Sequence, residues 1–348
     1  MLVSSIILFS HVILASFAKE VSSDSNDLTT AYWDLIDSPI YIDDLSPNDN
    51  WETTAFENIW CTGEGTLTDP YVIQDVIVSS TDSDCITILH SEVYFIITNC
   101  IIINSQKELG AGISLQDVKN GYIRSSQISN CDSYGITMGG CTNIIVYNNT
   151  IFGNGWMGIY LFKGLNCEIS ENTIYNNSGI GVSVFQSNFT RVIENDIYSH
   201  YTVGIGGEFC VNSEIKHNNI YDNYDGINMH ESSYNTFLYN SITDNTESGL
   251  QLRYNSDYNT ISDNTFFNNK YCIVIGTSCS NNEIYNNGVC DMYTIDDGGD
   301  GGGDDGNNGN GTPSEELDIP GYNMLFFIGV ISIVSVLIYF KYNKIMKR

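Results

Sequence analysis

The chain has 348 residues and a formal net charge of −29, from 13 Lys plus Arg against 42 Asp plus Glu. Four of the basic residues, Lys341, Lys344, Lys347 and Arg348, crowd into the C-terminal tail, so the remainder is more acidic still. Such a surface repels phosphate backbones and sets nucleic acid aside as a partner.

Residues 1–18 carry an apolar run, LVSSIILFSHVILASFA, that ends in the small residues a signal peptidase reads. It is read as a secretory signal peptide, although no Lys or Arg precedes its apolar core. An N-terminal membrane helix is the alternative, and either reading exports the chain. Residues 19–84 do not repeat, and they hold Trp33, Trp51 and Trp60. A stacked array needs its first face covered, so this stretch is expected to be an N-terminal segment with a cap plus the first strands.

From residue 85 to 295 one phrase returns about every 23 residues. A Gly–aliphatic step stands at Gly112-Ile113, Gly135-Ile136, Gly158-Ile159, Gly181-Val182, Gly204-Ile205, Gly226-Ile227 and Gly249-Leu250. Each repeat reads as three short strands. In the first strand, Ile159 and Leu161 point one way and the residues between them the other. Strands this short cannot bury a face alone, so each is expected to pair with its copy one coil above, about 4.8 Å away. The fold class is therefore all-β: a single-stranded parallel β-helix of about nine coils.

Two asparagine columns mark the turns. One runs Asn149, Asn172, Asn195, Asn218, Asn240, Asn264, Asn287, and the other Asn143, Asn166, Asn188, Asn212, Asn235, Asn259, Asn282. Asn tolerates left-handed backbone, and stacked amides satisfy buried polar groups. Residues 296–319 form an acidic Gly/Asp-rich linker, read as a flexible spacer. Calcium is a weak cofactor candidate there, because no calcium-loop spacing is present, and no other cofactor is expected.

Residues 320–340 contain an uncharged apolar run long enough, at roughly 28 Å as a helix, to cross a bilayer. The basic tail 341–348 places the C-terminus in the cytoplasm. The expected arrangement is a single-pass cell-membrane protein with an extracellular ectodomain. Ten cysteines in an exported chain permit disulfides. Cys131 with Cys141 could close a loop, Cys272, Cys279 and Cys290 cluster late, and the pairing is left open. Cys167 reads as a small apolar core residue.

The pattern G-I-x-Φ … I-x-x-N-x-I, over roughly Cys85 to Val289, resembles the right-handed parallel β-helix repeat family. That group includes pectate-lyase-like and NosD-type proteins. The termini resemble archaeal-type surface proteins with a C-terminal anchor. The resemblance implies a carbohydrate groove along the outer face of the first strands.

On that face the residues outward of each Gly form two columns. Tyr160, Phe162 and Phe185 are expected to make an exposed aromatic patch. Glu208, His230 and Arg253 follow on successive coils, flanked by Asn228 and Gln251. Rings beside carboxylate, imidazole, guanidinium and amides suit sugar binding. The reading is a surface glycan- or polysaccharide-binding or adhesion protein. One alternative is a polysaccharide lyase, hydrolase or epimerase using Glu208, His230 and Arg253, and another is a structural stalk without a ligand. Asp225-Gly226-Ile227-Asn228-Met229-His230 resembles an alginate-epimerase motif but has Asn228 where a carboxylate belongs. Scattered histidines argue against the copper site that the NosD label implies, and no metal ligands are assigned. Sequons stand at Asn148, Asn176, Asn188 and Asn310.

Overall fold

The computed structural model describes residues 32–297. The expectations placed on residues 1–18, 320–340 and 341–348, and on nearly all of 296–319, lie outside these residues. Among the described residues no helix is long and apolar enough to cross a membrane.

Three parallel sheets run the length of the array, of eleven, eleven and ten strands. They make about ten turns where about nine were expected. The difference lies at the N-terminus, where stacking begins before residue 85. Ile40–Asp43 already pairs with Ile86–Leu89, and Trp33–Leu35 with Val76–Ser80. The cap is an insertion into these first coils. A short helix, Trp51–Glu57, begins at Asn50, whose side chain accepts from the Thr53 N–H. Trp51 is buried between Tyr71 and Phe95, with ring centroids 5.2 Å away on each side, and its Nε1 donates to Ser91 Oγ. Cys61–Thr62 adds an antiparallel pair on Val72 and Ile73.

Each first strand lies in register with the next, Ile136 on Ile159 and Met138 on Leu161. Their aliphatic side chains, with Ile169, Ile174 and their copies, form one continuous core. The Gly before each aliphatic is required by close approach: a Cβ on Gly158 would sit 2.6 Å from the Gly181 carbonyl oxygen of the next coil. Where Gly207 replaces an inward aliphatic, the end of Met229 fills its place. A small internal cavity remains beside Thr190, whose hydroxyl has no partner.

The buried asparagines form hydrogen-bonded ladders. Asn149 N–H and Nδ2 both donate to Asn172 Oδ1, at 2.9 and 3.0 Å, and Nδ2 also donates to the Ile123 carbonyl. The pattern continues through Asn195, Asn218, Asn240 and Asn264 to Asn287. The expected amide stacking is therefore present, but the left-handed backbone belongs one residue earlier, at Asn148, Glu171, Glu194, His217, Tyr239, Asp263 and Asn286. The other expected column divides. Asn143, Asn166 and Asn212 are left-handed turn residues, whereas Asn235, Asn259 and Asn282 form a ladder.

A further ladder was not anticipated: Asn154, Asn177, His200, Asn223, Asn245, Asn269. His200 takes an asparagine's place. Its Nδ1 accepts from the Asn177 N–H, and its Nε2 donates to the Ile174 carbonyl.

Cys272 and Cys290 form a disulfide that ties the last coil. Cys131 and Cys141 are free and buried, not a loop closure, and Cys167 is a core residue as expected.

Candidate functional site

The first sheet's outer face carries every residue singled out for binding. Strand pairing sets Glu208 beside His230 and His230 beside Arg253, so the three stand on successive coils. Phe162 pairs with Phe185 and Phe185 with Glu208, placing the aromatic and polar groups in one row along the axis. Asn228 and Gln251 are neighbours in the parallel row.

Outward did not mean exposed. Tyr160 is 9% exposed and Phe185 5%. The residue before each Gly also reaches this face, and it folds against the outward residue of the next coil. Tyr134 stacks on Tyr160 at 5.7 Å, and Trp156 leans on Tyr134 at 5.3 Å. Phe162 contacts Tyr160 and Phe185, and Phe209 meets Phe185 edge-on. These rings shield one another, so the expected open patch is a packed aromatic layer with Phe162 half-buried at its rim. Lys163 Nζ lies over the Phe162 ring at 4.9 Å.

Two coils further on the same geometry serves polar residues. Asp225 precedes Gly226 and is buried. It accepts from the Ser248 N–H at 3.0 Å and from Gln251 Nε2 at 2.7 Å. Gln251 Oε1 in turn accepts from Arg253 Nε at 3.1 Å. This chain fixes the half-buried guanidinium from below. Burial pushes Asp225 up to about 6, against the hydrogen bonds from Ser248 and Gln251 and the Arg253 charge. Burial, and then the Glu231 carboxylate, push Glu208 up to about 7. Burial and the Arg253 charge push His230 down to about 4, so its imidazole is neutral. Tyr254 meets the His230 ring edge-on at 5.1 Å.

Two atoms here are buried and without a partner: Asn228 Oδ1 and His230 Nε2. Each carries a desolvation cost of about 1–3 kcal/mol. Together with Glu208 and Arg253 they offer acceptors, a carboxyl group raised toward neutrality and a cation within one patch. Asp225 and Ser248 complete the network, and their sequence signal is the position immediately before the repeat's Gly. Among the described residues no group of three or more His, Cys, Asp or Glu is placed to hold a metal ion. Of the sequons, Asn148 and Asn176 are exposed at left-handed turns. Asn188 accepts from the Val211 N–H through its side chain, and Asn310 lies outside the described residues.

A sequence profile described as a right-handed beta helix region matches residues 57–207 and, overlapping, 190–303. No curated protein matches the sequence. Among solved structures the chain is similar to the Dettilon tailspike protein, at 17% identity and a TM-score of 0.48. That alignment covers 64% of this chain and 59% of the tailspike, so the chain spans less than two thirds of the tailspike's length. It is also similar to pectate lyase Pel9A, at 9% identity and a TM-score of 0.46, over 75% of this chain and 79% of that one. A doubly substituted form of the periplasmic alginate epimerase AlgG is similar at 15% identity and a TM-score of 0.43, over 73% and 84% of the two chains.

Proposed function

Because the chain belongs to the right-handed β-helix family, we propose that its coils are a scaffold for binding a glycan along the first sheet's outer face. The ligand lies between Phe162 and Arg253. The observation that carries this reading is the pair of unpartnered buried atoms, Asn228 Oδ1 and His230 Nε2. Of the five buried side-chain atoms without a partner among the described residues, these two stand on one strand of the outer face and call for a partner. Sugar hydroxyls both donate and accept, which matches the amide oxygen, the neutral imidazole, Glu208 and Arg253. Tyr160, Phe162 and Phe185 then serve as the rigid floor under one end of the ligand.

The test is a polysaccharide and glycan panel probed with the purified chain, beside Asn228→Ala and Arg253→Gln. Binding by the wild type that both variants weaken supports the reading. A blank panel, with and without calcium, removes it.

The second reading is enzymatic. Glu208 and Asp225 are two carboxyl groups held protonated closer to neutrality than usual, a condition suited to acid catalysis on a glycosidic bond. It predicts new reducing ends or unsaturated products from polysaccharides, lost in Glu208→Gln; unchanged products in that variant would remove it.

Display at the cell surface is part of the proposal. It rests on the uncharged run within 320–340 and the basic tail 341–348. Removing residues 320–348 should release the protein from cells, and a truncated chain that stays with the membrane would contradict anchoring. Among the sequons of the described residues, Asn148 and Asn176 are exposed.

A further inference from the structure

Between the first and second sheets most coils make two left-handed turns, one at the end of the first strand, as at Lys163, Gln186, Phe209 and Glu231, and one shortly before the second strand. In coil order the residues of the second turn are Asn120, Asn143, Asn166, Phe189, Asn212, Tyr234, Tyr258 and Asn281, with φ between 54° and 61°. Asparagine is the residue that tolerates this conformation, and five of the eight positions use it. Phe and Tyr are strained there. The strain gains little burial in return. Phe189 is 50% exposed, Tyr234 55% and Tyr258 50%. Tyr234 and Tyr258 stack on each other at 5.0 Å with nearly parallel planes, so their outer edges and flanks form a ridge. Left-handed backbone at non-Asn residues recurs at other turns of the array, as at Tyr239; what these rings add is apolar faces open to water beside the first sheet.

The ridge lies one short turn beyond the polar row. Each first strand ends at Glu208, His230 or Arg253, and the chain reaches the corner position within five residues, at Asn212, Tyr234 and Tyr258. Charge decides the kind of ligand. Between residues 185 and 297 the basic residues are Arg191, Lys216, Lys270 and Arg253. The first three are ion-paired, with Glu168, Glu214 and Glu247. Arg253 stands in the polar row with Glu208 two coils away and Asp225 and Glu231 nearby, and Lys163 lies over Phe162 at the other end of the site. On the polar row a polyuronate or other polyanion would meet several carboxyl groups and one cation.

We propose that Phe189, Tyr234 and Tyr258 are the ring platform for an extended, uncharged glycan chain lying parallel to the helix axis beside the Glu208–Arg253 row. This rests on the glycan-binding reading and narrows it to neutral polysaccharides. Rings supply apolar contact to the C–H faces of the sugars, and the polar row supplies hydrogen bonds.

The test uses the full chain in affinity gel electrophoresis. Hydroxyethyl cellulose and mannan are the neutral probes, and polygalacturonate and alginate the charged ones. Neutral probes should retard the wild type and polyuronates should not. Tyr234→Asn with Tyr258→Asn should weaken retardation roughly tenfold or more. Because Asn suits the backbone, the same variant should melt at an equal or higher temperature. A double variant that binds like the wild type, while Arg253→Gln does not, overturns the platform and leaves the glycan reading standing. Preferential retardation by polyuronates overturns the neutral-ligand assignment. A lower melting temperature in the double variant assigns the rings to stability and overturns the platform. No retardation by any probe removes both readings together.

Discussion

His200 offers a measurement of how rigidly the ladders exclude water. It is 3% exposed, and burial pushes it down to about 4 from an ordinary 6.5. Its hydrogen bonds require the neutral ring, because a proton on Nδ1 would oppose the Asn177 N–H that the nitrogen now accepts. The unfolded chain takes up that proton below pH 6.5 and the folded chain does not until about pH 4. His200 thus favours folding fully above pH 6.5, and this contribution is lost as pH falls toward 4. The loss is about 2 kcal/mol at pH 5 and about 3 kcal/mol below both values. Asn at this position would accept from Asn177 and donate to the Ile174 carbonyl, as its neighbours in the ladder do. His200→Asn should therefore lie within about 1 kcal/mol of the wild type at pH 7.5 and gain about 2 kcal/mol on it at pH 5. Urea denaturation of both proteins at the two pH values reads this directly. Other groups titrate in both proteins, so they cancel in the difference. Equal differences at pH 7.5 and pH 5 would refute the buried neutral imidazole.

Asn195→Ala removes the acceptor for two Asn172 donors and the donor to the Ile169 carbonyl, and should cost about 3 kcal/mol by urea midpoint; a cost below about 1 kcal/mol would mean that water replaces the amide. Glu208 favours the protonated state when folded, so its contribution is present below pH 4.5 and lost as pH rises through about 7. Glu208→Gln removes that loss and should stabilise the protein at pH 8 relative to pH 5 by roughly 1 kcal/mol, after discounting for its partial exposure; no relative gain would mean an ordinary carboxylate. Reducing Cys272–Cys290, which closes a separation of 18 residues, should cost roughly 3 kcal/mol. Hydrogen exchange should then rise first over residues 271–297, and a uniform rise along the array would contradict a locally acting bridge.

The fold was legible because its signal is periodic. The Gly–aliphatic step and the third-strand asparagines report contacts between identical positions, and identical positions stack. The site was legible only as far as alternation reaches. Alternation assigns Tyr160, Phe185, Asn228 and His230 correctly to the outer face. It contains nothing about Tyr134, which arrives from the neighbouring coil and covers Tyr160, or about Asp225, which bonds to Ser248 and Gln251 of the next coil. Left-handed backbone was assigned to Asn149 and its copies because Asn is the residue most often found there. The ladder takes the Asn for its amide, and the residue before it takes the strained turn, whether Glu171, His217 or Tyr239. His200 was hidden because it breaks a column by one letter while keeping the same two hydrogen-bonding functions. Cysteine pairing depends on which thiols meet at the last coil, which the repeat does not encode.

The two ends of the array differ, and that gives the molecule a direction under load. At its start the helix Trp51–Glu57 and the stacked rings of Trp51, Tyr71 and Phe95 cross-brace several coils. At its end Phe267, Tyr285, Val289, Met292 and Tyr293 are exposed, and Asp297 bonds back to Ser278 and the Tyr254 N–H. A pull applied beyond Asp297 would load these bonds one after another, as in peeling tape, and would stop at the Cys272–Cys290 bridge. Past that latch, extension would proceed in steps of one coil, about 23 residues each, with a sawtooth of nearly equal forces. The same pull on the N-terminal coils would first peel the edge strands Trp33–Leu35 and Ile40–Asp43 and then meet that ring brace.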